Sequence, residues 1–149
     1  MSFVNITIQL INDLNEKYGI SYNDLETTIG EIENSLKNIV PGINFKLKET
    51  SDGPGGTIFS LDLDPNSNDM KIDIVKITDF FIPAQGYPIE HGRFSKQLNE
   101  FTTAGEIENK EQLIDFFKNL LSTSDSRLVQ TIGYAARRHK LGKQEDSPF

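Results

Sequence analysis

Between residues 43 and 64 the chain reads "INFKLKETSDGPGGTIFSLDLD", and this stretch decides the fold. Ile43, Phe45 and Leu47 alternate with Asn44, Lys46 and Lys48. After the turn, Phe59, Leu61 and Leu63 alternate with Ser60, Asp62 and Asp64. A period of two places the apolar set on one face of a strand and the polar set on the other. "SDGPGG" supplies a flexible turn between the runs, so the segment reads as an antiparallel hairpin with one buried face. A sheet of this kind needs a cover for that face.

Helical patterns on both sides of the hairpin can supply the cover. Upstream, Phe3, Ile6, Leu10 and Leu14 recur at spacings of three and four, which predicts an amphipathic helix ending near "KYG". Ser21 is placed as the cap of a second helix, with Ile20 stapled onto Leu25. Leu25, Ile29, Ile32 and Leu36 continue the stripe until "VPG" stops it. Downstream, "PNSN" at 65–68 makes a turn and a long third strand runs over 70–81. The expected register sets Leu63 opposite Met70, Leu61 opposite Ile72 and Asp62 across from Lys71. A slip of two residues would oppose Asp62 to Asp73. Phe45, Leu47, Phe59, Leu61 and Ile72 then face the helices.

"GYPIEHGRF" at 86–94 extends the sheet as a fourth strand or extended edge, because Pro88 lacks an amide and suits an outer position. Asn109 with Gln112 caps a helix carrying Leu113, Phe116, Phe117, Leu120 and Leu121. Ser124 or Asp125 starts a last helix through Leu128, Ile132 and Ala135. The expected class is α+β: an antiparallel three- to four-stranded meander flanked by two N-terminal and two C-terminal helices packed on one face. Residues 1–140 are taken as a single domain, and 141–149, with nothing to bury, as a disordered tail.

Composition narrows the function. At 149 residues the chain is long enough to close a hydrophobic core without staples. It has no cysteine, which removes disulfides, thiolate metal sites and cysteine nucleophiles. Its formal net charge is −7, with six acids against two bases in residues 1–40 and six against seven in residues 108–149. Binding a duplex through its phosphates needs a concentrated basic face, so direct nucleic-acid binding is not expected. The N-terminus lacks the basic and apolar regions of a signal peptide, and no apolar run approaches the roughly 18 residues needed to cross a bilayer. A cytoplasmic location and no membrane contact are expected.

Four stretches could carry chemistry. Asp62, Asp64, Asn66, Asn68 and Asp73 fall at positions 1, 3, 5, 7 and 12 of a calcium-loop template. Ser67 stands where that loop needs glycine, Asp73 is short for the bidentate position, and strands flank it, so a plain turn is preferred and no metal site is assigned. "SDGPGG" lacks the following helix and the lysine of a phosphate loop. Arg137, Arg138, His139 and Lys140 sit at a helix C-terminus, where the dipole alone favours cations. The fourth stretch is "GYPIEHGRF". If it is extended, Tyr87, Ile89, His91 and Arg93 share one face and Glu90 points away, so Glu90 and His91 are not an acid–base pair. An orienting carboxylate for His91 would have to come from Asp79 or Glu106.

These residues lead to a small acidic, non-catalytic protein-interaction module, an accessory, immunity or inhibitor-type protein of bacterial or phage character. No cofactor is implied. The expected partner is a protein with a basic surface, met by Asp13, Glu16, Glu31 and Glu33 on the N-terminal helices and by Tyr87, Glu90, His91 and Arg93. The alternative is a small-ligand binder or hydrolase, with a pocket between the sheet and the final helix near Tyr87, His91 and Arg93.

Overall fold

The structure, a computed structural model, describes residues 2–65 and 72–145. Its elements are α1 (Phe3–Leu36), β1 (Asn44–Gly53), β2 (Gly56–Asp64), β3 (Val75–Pro83), β4 (Ile89–Ser95), β5 (Glu100–Ile107), α2 (Lys110–Ser122) and α3 (Arg127–Glu145). The class is α+β. The five strands form one sheet in the order β1-β2-β3-β4-β5, antiparallel at every step.

The hairpin at 43–64 forms as its alternation requires, with Leu47 opposite Leu61 and Gly53 opposite Gly56 across the turn. Phe59 and Leu61 join Phe80 and Ile82 of β3, Ile89 of β4, Ile107 of β5, Leu25 and Ile29 of α1, and Leu113 and Phe117 of α2 in the larger core. A second cluster gathers Leu36, Val40, Ile43 and Leu63 with Leu128, Ile132 and Ala135 of α3. Phe45, Leu47 and Ile72 pack at the margins of these clusters.

Several sequence-based expectations are corrected. The two N-terminal helices are one, 34 residues long. Gly19 interrupts it only weakly, since a mid-helix glycine costs about 1 kcal/mol against alanine and leaves the hydrogen-bond ladder intact. Ser21 caps nothing. It is fully buried, and its hydroxyl donates back to the Lys17 carbonyl at 3.2 Å. Its small size matters because Gly86, at φ +86°, sits so close that a Cβ there would lie 2.7 Å from Ser21 Oγ and 2.5 Å from Lys17 O. Ile20 is exposed and makes no staple.

The third strand begins at Val75, so the β2–β3 connection is longer than the four residues expected. Leu63 faces Val75, Leu61 faces Thr78, and Asp62 faces Lys76 rather than Lys71. A lysine again stands across from Asp62, after a bulge, but its ammonium pairs with Asp79 instead. Met70 and Lys71, with Asn66 and Asn68 of the calcium template, lie outside the described residues. "GYPIEHGRF" is not an edge. β4 lies between β3 and β5, and Pro88 precedes the strand without interrupting its ladder. β5, which the sequence does not announce, is an edge of the sheet, with β1 at the other. The α3 cap is Ser126, whose Oγ accepts from Val129 N at 3.1 Å. Asn109 caps α2 as expected, accepting from Gln112 N at 2.9 Å. α3 continues past residue 140 to Glu145, and the tail expected over 141–149 lies outside the described residues from 146 onward.

Candidate functional site

Two surfaces stand out, and α1 builds the first. Its C-terminal half presents Leu25, Ile29, Ile32 and Leu36 to the body. Its N-terminal half repeats the same kind of stripe, exposed throughout, with Leu14 at its inner end beside the β1–β2 turn. Phe3 is 88% exposed and Leu10 64%, whereas Leu25 is 0% exposed. Val4, Ile6, Ile8, Ile11 and Leu14 are also exposed. At 3.6 residues per turn these seven side chains spread over roughly half the helix circumference. The helix is tied to the body at Tyr18, whose hydroxyl donates to Thr57 Oγ1 at 2.7 Å, and Thr57 donates on to Asp52 Oδ1 at 2.9 Å. Leu14 and Asn15 border the β1–β2 turn and Lys17 O lies against Gly86, so residues 3–13 project as an arm of about 16 Å, from 1.5 Å per residue. An isolated helix that short is marginal in water, so the arm holds its shape as a continuation of the docked half.

Asp13 and Glu31 lie eighteen residues, about five turns, apart and share one side of α1, with Glu16 about 60° away. Glu33 falls on the opposite side. It accepts from Phe45 N at 2.7 Å and lies 3.9 Å from Lys37 Nζ, latching α1 to β1. The acidic face expected from the sequence therefore keeps Asp13, Glu16 and Glu31 and gives Glu33 to the fold.

The second surface contains part of "GYPIEHGRF". Tyr87 is separated from it, because its hydroxyl donates to Asp24 Oδ2 at 2.8 Å and ties the β3–β4 loop to α1. Burial, then the bond to Asp24, pushes the phenol well above its ordinary pKa. Glu90 accepts from Thr103 Oγ1 at 2.5 Å and stands opposite Glu106. His91 lies on the helix-facing side. Its ring centroid is 4.6 Å from that of Phe116, and Gly105 leaves it room, since a Cβ there would come 2.6 Å from Nε2.

Neither proposed orienting carboxylate reaches His91. Asp79, only 1% exposed, accepts from Phe94 N at 2.7 Å and from Lys76 Nζ at 2.5 Å. Glu106 is opposite Glu90. No acid–base pair is assembled around His91 among the described residues, and no group of three or more His, Cys, Asp or Glu side chains gathers there to hold a metal. His91 and Arg93 instead line a groove of about 760 Å³ between β3–β4 and the start of α3, together with Lys76, Thr78, Asp125, Arg127 and Gln130. Arg137, Arg138, His139 and Lys140 do not sit at a helix end as expected: α3 runs past them, and Arg137 lies over the Tyr134 ring at 5.4 Å.

Burial lowers the pKa of His91 below its ordinary 6.5. The unfolded chain then takes up a proton that the folded chain resists. Stability contributed by neutral His91 is complete above pH about 6.5 and is lost as the pH falls from there toward the folded pKa. His91→Gln is expected to flatten that part of the stability–pH curve, measured by urea midpoints across the acid range. An unchanged slope would show that His91 does not carry it.

Sequence reasoning missed Lys76, Thr78, Arg127 and Gln130, which come to the groove from β3 and α3 and share no local pattern with His91. No helix among the described residues is long and apolar enough to cross a membrane. No protein-family model matches the chain, and comparison with curated proteins and with solved structures likewise finds no match.

Proposed function

We propose that the protein is a small, non-catalytic protein-interaction module of the accessory, immunity or inhibitor type, acting through the projecting half of α1. The observation that supports this reading is the arm: seven large apolar side chains exposed on one helix whose other half is docked. Their combined exposed area is several hundred Å², on the order of the ~800 Å² per partner of a standard interface. Patches of that size on a soluble chain usually mark a binding surface.

Charge selects the occupant. A second copy would bring together two chains of net charge −7. A partner with an apolar stripe flanked by Lys or Arg would meet Asp13 beside the stripe and Glu31 farther along the same side, with Glu16 on the back of the arm adding to the long-range field. The fitting partner is therefore a protein with a basic, amphipathic surface, and steering by the acids should act on its approach. The hydrolase alternative has less support, because Asp79 is held by Lys76 and the Phe94 amide and Glu106 stands opposite Glu90 rather than His91.

A photo-crosslinker placed at Ile6 tests the reading. The expected product is an adduct with a basic protein, formed more slowly as salt is raised. With that partner in hand, Asp13→Asn, Glu16→Gln and Glu31→Gln together should slow association roughly ten-fold at low salt and change dissociation little. An adduct of the chain with itself, or an on-rate indifferent to salt and to the three substitutions, would overturn the choice of partner.

A further inference from the structure

The groove carries an inference that does not depend on the arm. We propose that it binds a doubly charged oxyanion of a small molecule, a phosphate or a dicarboxylate, through Arg93 and Arg127. Its volume of about 760 Å³ lies within the ~300–1,000 Å³ of small-molecule sites.

The charges in the groove are unevenly matched. Lys76 is held by the buried Asp79 carboxylate at 2.5 Å, so its charge is compensated. Arg127 uses Nη1 on the Lys76 carbonyl at 3.5 Å and keeps its remaining donors. Arg93 has no ion-pair partner among the described residues. Besides the compensated Lys76, the groove lining thus holds two arginines against one carboxylate, Asp125, in a chain that is acidic overall. A planar guanidinium fork matches the paired oxygens of phosphate and carboxylate, which is the geometric reason for the ligand class.

Both arginines stand on fixed backbone. Arg93 follows the bulge between His91 and Gly92. Only glycine fits at that bulge, since a Cβ on Gly92 would come 2.0 Å from the Thr102 carbonyl oxygen. Bulges of this kind redirect strand side chains. Arg127 opens α3, and the turn before it is held by Ser126, which donates to the Leu120 carbonyl at 2.6 Å while accepting from Val129 N. Gln130, one turn along α3, and the partly buried His91 add neutral hydrogen-bonding groups that would orient a ligand without adding charge.

The test is a titration of the full chain, followed by amide NMR, with glycerol phosphate in one arm and succinate in the other. Saturable shifts are expected at Thr78, Gly92, Arg93, Arg127 and Gln130 with at least one of the two, and the one that saturates identifies the source of the oxyanion. Arg93→Gln or Arg127→Gln should weaken binding roughly ten-fold or more, the size of one lost charge-assisted hydrogen bond. Arg137→Gln, on the exposed part of α3, should leave it unchanged. The variants' own amide spectra establish that they are folded. Shifts without saturation in both arms, shifts centred on residues 137–140, or full binding by the double arginine variant would overturn the site. Substitutions in the arm should not affect this titration, so its failure and the failure of the interaction reading are separable.

Discussion

Phe80→Ala is expected to cost about 3–5 kcal/mol, the range for deleting a buried phenylalanine ring. Phe80 is 0% exposed on β3, the middle strand of five. It stands opposite Phe59 on one side and His91 on the other. Its ring meets Phe116 edge-on at 5.8 Å and Phe117 at 6.2 Å, joining the sheet to α2. Truncation therefore removes apolar burial and two aromatic contacts while leaving a cavity walled by strands on both sides, which cannot readily collapse. A typical domain has about 5–15 kcal/mol of stability, so this one ring could account for a third of it or more. The melting temperature should fall by roughly 6–20 °C at this chain length. A urea midpoint shifted with the m-value intact would confirm the cost as a packing loss. A cost under about 1 kcal/mol would mean that the core joining sheet to α2 is assembled differently.

The strands that were legible in the sequence are those whose residues alternate apolar and polar, as β1 and β2 do, although residues 57–61 of β2 are buried on both faces. Asn109 with Gln112 marks the start of α2 by a local hydrogen bond. β5 was not legible because, unlike β1 at the other edge, its own residues carry no apolar alternation. Between Phe101 and Ile107 it offers only polar and small residues, "TTAGE", and its pairing comes from β4 rather than from its own pattern. The split of α1 at Gly19 and Ser21 failed for a tertiary reason: Ser21 is buried because Gly86 presses against it. Local chemistry that can cap a helix can also sit within one when packing requires a small side chain.

The two candidate surfaces differ in the same way. Pairing His91 with Arg93 followed from strand alternation, and both line the groove, but Tyr87 is held by Asp24 across a long sequence separation. The arm was hidden by the assumption that an apolar stripe is a buried one. Length could have exposed it. A continuous helix of 34 residues extends about 51 Å at 1.5 Å per residue, whereas a ten-residue strand reaches only about 33 Å. One end must overhang.

That overhang sets the last expected result. Ile6→Asp with Leu10→Asp should reduce affinity for the partner by about a hundred-fold or more and leave the stability of the body within roughly 0.5 kcal/mol of wild type. The two effects separate because both side chains are exposed and lie beyond Tyr18, where α1 is tied to the body. If a partner buries them, each contributes on the order of 1.5–3 kcal/mol of apolar transfer, and a carboxylate at either position would be desolvated without a counter-charge. On the docked half of the same stripe the same change acts in reverse: Leu25→Asp would put a charge into the core and should unfold the chain. Ile6→Ala with Leu10→Ala distinguishes lost contacts from a frayed arm, since alanine favours the helix while removing the apolar anchors. Both double variants should bind poorly, with circular dichroism of the alanine form unchanged. Wild-type affinity in either variant, or a melting temperature that falls with the aspartates, would mean that the arm packs on its own body and that the binding surface lies elsewhere.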